Sequence, residues 1–278
     1  MKPGIAISGA SSGIGAATAL LLAEKGYTAF AGVRSDDDAR RAAGLHANVR
    51  PILLDVTDQS SIERAVDDVS KSGVAIAGIV SNAGIAIGGP LERLPIAELR
   101  RQFEVNVFGA VALVQAFLPL LHGGRGRVVF VGSISGRLAT PYIGPYSASK
   151  FALRALSDAM RIELAPAGIA VSLIEPGSVK TPIWGKGRKT AADMASQLGD
   201  RTREHYRAAL ERVVAITESE ERDGMPVAVV SNAIVHALCA RRPRAHYLLG
   251  GSARMGSVVA VLPPALRDRA IRASMRIP

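Results

Sequence analysis

Short apolar runs of strand length alternate with longer helical patterns along this chain, and that alternation limits the fold more than any other feature. Strands that are joined through helices form right-handed βαβ units within one parallel sheet. The sequence therefore predicts an α/β fold, a doubly wound parallel sheet of about seven strands with helices on both faces. The predicted strands are residues 5–8, 28–33, 49–55, 76–81, 127–131, 170–174 and 247–249. The predicted helices are residues 13–25, 60–72, 96–121, 146–164 and 226–240.

The composition is compatible with a core of this kind. Hydrophobic residues make up 48% of the 278 residues and aromatic residues only 4%, so the core is mainly aliphatic. No linker, internal repeat or change of composition divides the chain, which predicts a single domain over residues 1–278. Residues from about 175 to 200 are rich in proline and glycine and lack strand periodicity, so they are predicted to form a lid loop.

The net charge of +10 is concentrated near the C-terminus. From Arg241 onwards there are eight arginines and one acid, Asp268, so this part alone carries +7. Residues from about 252 to 278 are expected to form a basic extension. We favour a tail that is solvated or covers a subunit, with peripheral contact to an anionic membrane as the alternative. No nucleic-acid-binding motif or interleaved aromatic residues accompany the arginines, so no nucleic-acid partner is predicted.

Other features restrict the class of protein further. The single cysteine, Cys239, rules out an internal disulfide, and its apolar neighbours predict a buried thiol. The N-terminus leads straight into a strand rather than into a secretory signal, and no run reaches the ~18 apolar residues of a membrane span. We therefore expect a cytoplasmic protein. The five histidines show no metal-ligand spacing, so no metal site is predicted.

A glycine-rich turn follows the first predicted strand and opens the first predicted helix. Its sequence is Gly9-Ala-Ser-Ser-Gly13-Ile-Gly15, in which glycines allow the backbone to approach a pyrophosphate at a helix N-terminus. This context predicts a Rossmann-type dinucleotide site. The second strand ends without a carboxylate and is followed at once by Arg34, which favours NADP(H) and leaves NAD(H) as the alternative.

Tyr146 and Lys150 are spaced i and i+4 on one predicted helix, so their side chains share a face. A phenol titrates near ~10 and a lysine ammonium near ~10.4, so neither alone is an effective acid or base at neutral pH. A neighbouring ammonium lowers the pKa of a tyrosine towards the range of a general acid–base catalyst. Pro145 suits the first helical turn, so the helix dipole acts in the same direction.

Together these motifs resemble the short-chain dehydrogenase/reductase family over about residues 4–250. The glycine motif opens with a serine where the family has threonine, and Ser81 replaces an asparagine; both keep a hydrogen-bonding side chain. The finer resemblance is to the retinol and hydroxysteroid dehydrogenase branch. The matching segments are Ser8-Gly-Ala-Ser-Ser-Gly-Ile-Gly15, Asp55-Val56, Ser81-Asn-Ala-Gly84, Asn106, Ser133, Tyr146-x-x-x-Lys150 and Pro176-Gly177.

The resemblance implies a role for each catalytic residue. Tyr146 is expected to act as general acid in reduction and as general base in oxidation. Lys150 is expected to lower the pKa of Tyr146 and to hold the nicotinamide ribose. Ser133 is expected to donate a hydrogen bond to the substrate oxygen, and Asn106 to help a proton relay through a water near Lys150.

The resemblance also implies which residues contact the cofactor. Asp55 is expected at the adenine, Asn82 and Gly84 beside the cofactor, and Val179 and Thr181 at the nicotinamide end. The full expected set is Gly9, Ser11, Ser12, Gly13, Ile14, Gly15, Arg34, Asp55, Val56, Asn82, Ala83, Gly84, Tyr146, Lys150, Pro176, Gly177, Val179 and Thr181.

The substrate pocket is expected at the carboxyl ends of the strands, where doubly wound sheets bind ligands. Its predicted walls are mainly apolar, which indicates a lipophilic substrate. We expect an NADP(H)-dependent oxidoreductase that interconverts a lipophilic secondary alcohol and its ketone, or an alcohol and its aldehyde. The predicted substrate residues are Ile85, Ile134, Tyr142, Ile183 and Trp184.

Three further points remain open from the sequence. The resemblance implies a homodimer or homotetramer formed through the two long helices, residues 96–121 and 146–164. One alternative function is a non-catalytic redox sensor that binds NADP(H). The other is a ketoreductase that acts on carrier-bound acyl substrates.

Overall fold

The fold is taken from a computed structural model, which describes residues 2–121, 126–185, 206–207, 211, 214–215, 217–219 and 221–275. Residues 186–200 of the predicted lid and 276–278 of the basic extension therefore lie outside the described residues.

Within the described part of the chain, seven parallel strands form one sheet with the order β3-β2-β1-β4-β5-β6-β7. The order reverses between β1 and β4, which creates the crevice where doubly wound sheets bind ligands. This confirms the predicted α/β fold. The strands are β1 (Gly4–Ile7), β2 (Thr28–Val33), β3 (Val49–Leu53), β4 (Ile76–Ser81), β5 (Arg127–Val131), β6 (Ala170–Pro176) and β7 (His246–Leu249).

Helices pack on both faces of the sheet and lie close to their predicted bounds where one was predicted. Among the helices whose bounds the structure describes, those not predicted are residues 36–43 and, in the basic extension, residues 251–260 and 264–275. The helices are α1 (Gly13–Glu24), α2 (Asp36–Ala43), α3 (Gln59–Lys71), α4 (Ile96–Phe103), α5 (Gly109–Phe117), α6 (Gly144–Glu163), α7 (Val227–Cys239), α8 (Gly251–Ala260) and α9 (Pro264–Met275).

Two aliphatic clusters fill the space between the helices and the sheet. One lies under α1 and α7 and includes Leu22 and Ile234, and the other lies under α3, α5 and α6 and includes Phe117 and Leu153. Cys239 does not belong to either cluster. It ends α7 with an exposed side chain whose Sγ lies 3.3 Å from the Tyr27 hydroxyl, so the prediction of a buried thiol is wrong.

The predicted helix of residues 96–121 is not uniformly α-helical. A π-helical turn, Glu104–Phe108, separates α4 from α5, and a 3₁₀ turn, Leu118–Leu121, follows α5. A π turn inserts an extra residue into the helix and redirects the side chains around it. Here the turn carries Asn106 towards the loop after β4.

This composite helix is also long and apolar enough, by length and composition, to cross a membrane. The sequence expectation that no run reaches such a length is therefore wrong for this segment. This helix nevertheless packs in the protein core, because Leu113, Val114 and Phe117 are buried in the aliphatic cluster under α3, α5 and α6. It also buries the polar side chains of Gln102 and Asn106, both bonded to the loop after β4.

The basic extension is folded onto the protein in its described part. A Cβ atom on Gly256 of α8 would lie 2.8 Å from Ile134, so this helix packs closely on the turn after β5. Ser252 of α8 packs in the same way against Gly177. The extension thus covers one wall near the carboxyl ends of β5 and β6.

Candidate active site

A cavity of about 490 Å³ opens at the carboxyl ends of the central strands. Its size is typical of ligand sites in enzymes. Of the residues predicted to contact the cofactor, all except Gly15 line it. Several lining residues were not predicted, among them Leu54, Thr57, Arg101 and Val105.

The glycine turn gives this cavity a backbone-lined floor. Gly9 and Gly13 have φ values of +66° and +56°, which L side chains rarely adopt. Gly15 does not line the cavity because it packs beneath the turn, where a Cβ atom would lie 2.3 Å from the carbonyl oxygen of Gly9. The N-cap residue of α1, Ser12, makes no side-chain cap. The first amide groups of α1 are therefore available to an anion, as a pyrophosphate requires.

Asn82 and Ser8 hold the glycine turn against the end of β4. The Asn82 side-chain amide donates to the carbonyl oxygens of Ser8 and Gly9, each at 3.0 Å. The Ser8 hydroxyl oxygen in turn accepts from the backbone amides of Asn82 and Ala83. A serine at the first position of the glycine motif thus provides the acceptor that joins the two loops.

Asp55 lines the end of the cavity where the adenine is expected. One of its carboxylate oxygens accepts from the backbone amide and the hydroxyl of Thr57, at 2.9 and 2.7 Å. The backbone amide of Asp55 donates to Ser61 at the start of α3. These bonds fix the loop after β3, beside which the adenine ring of the cofactor is expected.

Arg34 lines the cavity and is exposed at the end of β2. Two of the three acids that follow it form ion pairs with other arginines. They lie in the first turn of α2, where Asp37 pairs with Arg40 and Asp38 pairs with Arg41. Among the residues that the structure describes, Arg34 itself has no carboxylate partner, so its charge faces the cavity edge.

Tyr146 and Lys150 lie on the first turns of α6 and are both buried. The Lys150 ammonium donates to the carbonyl oxygen of Val131 at 2.8 Å and lies 5.7 Å from the centre of the Tyr146 ring. Burial lowers the pKa of Lys150 from 10.5 to about 8. The side chain therefore stays mainly cationic at neutral pH and favours the phenolate form of the neighbouring tyrosine.

Ser133 follows β5 and faces the same cavity. Its hydroxyl oxygen accepts from the backbone amide of Ser135 at 3.1 Å, which caps the short 3₁₀ turn Ile134–Gly136. A serine hydroxyl that accepts in this way retains its hydrogen for donation to a ligand. The capping role and the expected substrate contact are therefore compatible.

Asn106 does not line the cavity and instead supports its wall. Its side chain accepts from the backbone amide of Ile85 at 2.9 Å and donates to the Ile85 carbonyl at 3.0 Å and to Ser149 at 3.1 Å. Both of its amide hydrogens are thus used. The relay role through water stays a prediction.

Gln102, which sequence reasoning missed, acts beside Asn106. It is fully buried, accepts from the backbone amide of Ile87 and donates to the carbonyl of Ile85, each at 2.8 Å. The two amides, four residues apart, hold the extended segment after β4. The i, i+4 spacing of the two amide side chains is a sequence signal that could have identified this pair.

The predicted substrate residues are only partly brought together. Ile85, Ile183 and Trp184 line the cavity, and the Trp184 and Tyr146 rings meet edge to face at 5.4 Å. Ile134 and Tyr142 do not line it, so the expectation that they form its wall is not met and their contact with the substrate stays a prediction.

The reason lies in the backbone around both residues. Ile134 begins a 3₁₀ turn and packs against Gly256. Tyr142 has a φ of +66°, and its ring meets that of Tyr206 rather than the cavity.

Among the described residues, no cluster of three or more metal-ligating side chains occurs.

Comparisons with known proteins identify the family to which this chain is similar. A family model described as short chain dehydrogenase matches residues 4–192. The chain is 35% identical over 268 residues to the NADPH-dependent 3-dehydrocapnine reductase of Ornithobacterium rhinotracheale, covering 93% of this chain and 92% of that protein. It is 32% identical over 240 residues to the 3-ketodihydrosphingosine reductase of Bacteroides thetaiotaomicron, covering 86% and 84%. A solved short-chain dehydrogenase from Streptomyces avermitilis superposes with a TM-score of 0.76 at 29% identity, covering 99% and 96% of the two chains.

Proposed function

Because this chain belongs to the short-chain dehydrogenase/reductase family of oxidoreductases, we propose that it transfers a hydride between NADP(H) and a lipophilic alcohol or carbonyl. The observation that carries the proposal is the meeting of Ser133, Tyr146 and Lys150 in one cavity with the glycine turn. When bound, the nicotinamide supplies or accepts the hydride.

Three residues of the protein would stabilise the charge on the substrate oxygen and transfer the proton. Negative charge develops on the carbonyl oxygen during reduction, and the hydroxyls of Ser133 and Tyr146 would stabilise it by hydrogen bonding. Tyr146 would then give up its phenolic proton to that oxygen, and in oxidation it would take a proton from the alcohol. Lys150 would hold the resulting phenolate by its positive charge.

The preference for NADP(H) rests on Arg34 and on a relative. A guanidinium recognises phosphate oxygens in a fixed fork geometry, so Arg34 would bind the 2′-phosphate. The relative from Ornithobacterium is named as NADPH-dependent and is similar over nearly the whole chain. NAD(H) remains the alternative cofactor.

A lipophilic substrate is supported by the apolar side of the cavity. Ile85, Ile183 and Trp184 provide aliphatic and aromatic surface close to Tyr146. The relative from Bacteroides is named for reduction of 3-ketodihydrosphingosine, an aliphatic ketone. An aliphatic ketone of this kind is therefore the first substrate class to test.

A homo-oligomer is supported by apolar surface on the two long helices. Phe108, Phe151 and Ile162 are 57%, 42% and 71% exposed on the helices of residues 96–121 and 144–163. Pairing of these helices in a homodimer or homotetramer would remove that surface from water.

The proposal is tested by NADPH oxidation against a panel of carbonyls. The panel runs from small aldehydes through decalones and steroid ketones to retinal and 3-ketodihydrosphingosine, with a 3-ketoacyl group on a carrier protein as a separate member. We expect turnover on free lipophilic ketones. Turnover only with the carrier-bound substrate would replace this proposal with the ketoreductase. Tight NADPH binding with no turnover on any carbonyl would favour the redox sensor.

A further inference from the structure

A partly buried ionic cluster lies directly behind the proposed active site. Its centre is Glu175, a fully buried residue of β6 that immediately precedes Pro176 and Gly177. Arg137 meets both carboxylate oxygens, with Nε 2.7 Å from Oε1 and Nη2 2.5 Å from Oε2. Such a two-point contact fixes orientation as well as distance.

His246 extends the cluster from β7 to α6. Its Nδ1 lies 2.8 Å from the second oxygen of Glu175, and its Nε2 lies 2.9 Å from a carboxylate oxygen of Asp158. Arg154 of α6 adds a longer ion pair, with Nε 3.8 Å from Glu175. The cluster therefore joins the turn after β5, helix α6, and strands β6 and β7.

Three of the four joined elements, the turn after β5, helix α6 and strand β6, carry a part of the active site. The turn that ends at Arg137 begins with Ser133, and Gly136 within it packs so closely that a Cβ atom would lie 2.7 Å from the carbonyl oxygen of Lys150. Glu175 leads into Pro176 and Gly177, which line the cavity. No member of the cluster lines the cavity itself.

We propose that Arg137, Glu175 and His246 form a positioning set that fixes Ser133 relative to Tyr146 and to the Pro176-Gly177 end of the cofactor site. This inference rests on the proposed function and adds residues that act through others. The physical reason is that hydride transfer depends steeply on geometry, and a displacement of about 1 Å can cost roughly 100-fold in rate.

Stability alone does not account for such a cluster. A buried ion pair often contributes no more to folding than apolar side chains of similar volume, whereas removal of one partner is strongly destabilising because it leaves a buried charge unpaired. Its distinguishing property is the fixed geometry of the groups around it. A positioning role can therefore be separated from a purely structural one by removing Glu175 together with Arg137, the partner that contacts both of its oxygens.

The test compares Arg137→Met, Glu175→Leu and the double variant with the wild type. We expect both single variants to lose thermal stability and activity. In the double variant we expect the melting temperature to recover, while kcat stays at least about tenfold below wild type. We also expect the NADPH dissociation constant to stay within about threefold and the kinetic isotope effect with deuterated NADPH to rise. Recovery of kcat together with stability would overturn the proposal.

Two additions keep the result decisive. The double substitution of the exposed pair Asp67 and Lys71 on α3, to Leu and Met, is the matched control and should leave kcat unchanged. If the double variant does not fold, Glu175→Asp keeps the charge and shortens the side chain, and an unchanged kcat in that variant would also refute the proposal. The wild-type rate is measured first, so that absence of turnover counts against the proposed function instead.

Discussion

The ring of Trp184 meets the ring of Tyr146 edge to face, with centroids 5.4 Å apart and planes inclined by 65°. Trp184 is the only tryptophan in the chain and lies within the segment predicted as a lid. An aromatic ring at this distance limits how a substrate approaches the phenol. It also places an intrinsic fluorophore beside the proposed catalytic residue.

Trp184→Leu tests whether this ring shapes the substrate site. We expect KM for a bulky lipophilic ketone to rise about tenfold, since an aromatic wall of this kind contributes on the order of 1–2 kcal/mol. KM for a small ketone should change little. Leu45→Ala, at an exposed apolar residue just after α2, is the control. Equal effects on both ketones would show that Trp184 does not select between them.

Substitution of Arg34 tests the cofactor preference. Arg34→Glu removes a charge-assisted hydrogen bond to the 2′-phosphate, worth about 1.5–3 kcal/mol, and adds repulsion. We expect KM for NADPH to rise at least about tenfold and KM for NADH to stay similar or fall. Arg64→Glu on α3 makes the same charge change at another exposed arginine. Parallel losses with both cofactors in Arg34→Glu would remove the argument for NADP(H).

The buried ammonium of Lys150 predicts a pH dependence of stability. Its pKa is about 8 in the folded protein and 10.5 in the unfolded chain, so the unfolded chain binds more protons between these values. This group should make the free energy of unfolding rise with pH across that window, by up to about 3 kcal/mol. We expect the free energy of unfolding of the wild type minus that of Lys150→Met to rise from pH 8 to 10.5, measured by urea titration without cofactor. A constant difference would contradict the assigned burial.

Asn106→Ala tests the support of the segment after β4. The variant leaves the backbone amide of Ile85 without its side-chain partner, at about 1–3 kcal/mol for an unsatisfied group. The Ile85 carbonyl keeps the bond from Gln102. We expect a lower melting temperature together with a lower kcat. Asn232→Ala is the matched control, because its amide is exposed and bonds only within α7. A normal melting temperature and kcat in Asn106→Ala would show that these bonds do not support the site.

The strands and the nucleotide side of the site could be predicted because local patterns determine them. Strand ends follow the apolar runs, and a glycine turn between strand and helix fixes where backbone amides face a ligand. Gly9 and Gly13 were predicted at the cavity for that reason. Helix α2 was missed because it is short and polar, although Ser35, which accepts from the amide of Asp38, is a recognisable cap.

The remaining features depend on long-range contacts that one sequence does not display. The orientation of Ile134 is set by Gly256, over a hundred residues away in the chain. The direction of Tyr142 is set by a backbone angle that side chains rarely adopt. The cluster around Glu175 unites residues from the turn after β5, α6, β6 and β7, which only the folded sheet brings together.

The most direct test of the account is single-turnover hydride transfer from bound NADPH to a ketone in Tyr146→Phe. The substitution keeps the ring against Trp184 and removes the phenolic proton. We expect the rate constant to fall by about 100- to 10,000-fold while the NADPH dissociation constant stays within about threefold. A rate constant within threefold of wild type would contradict the assignment of Tyr146 as the general acid.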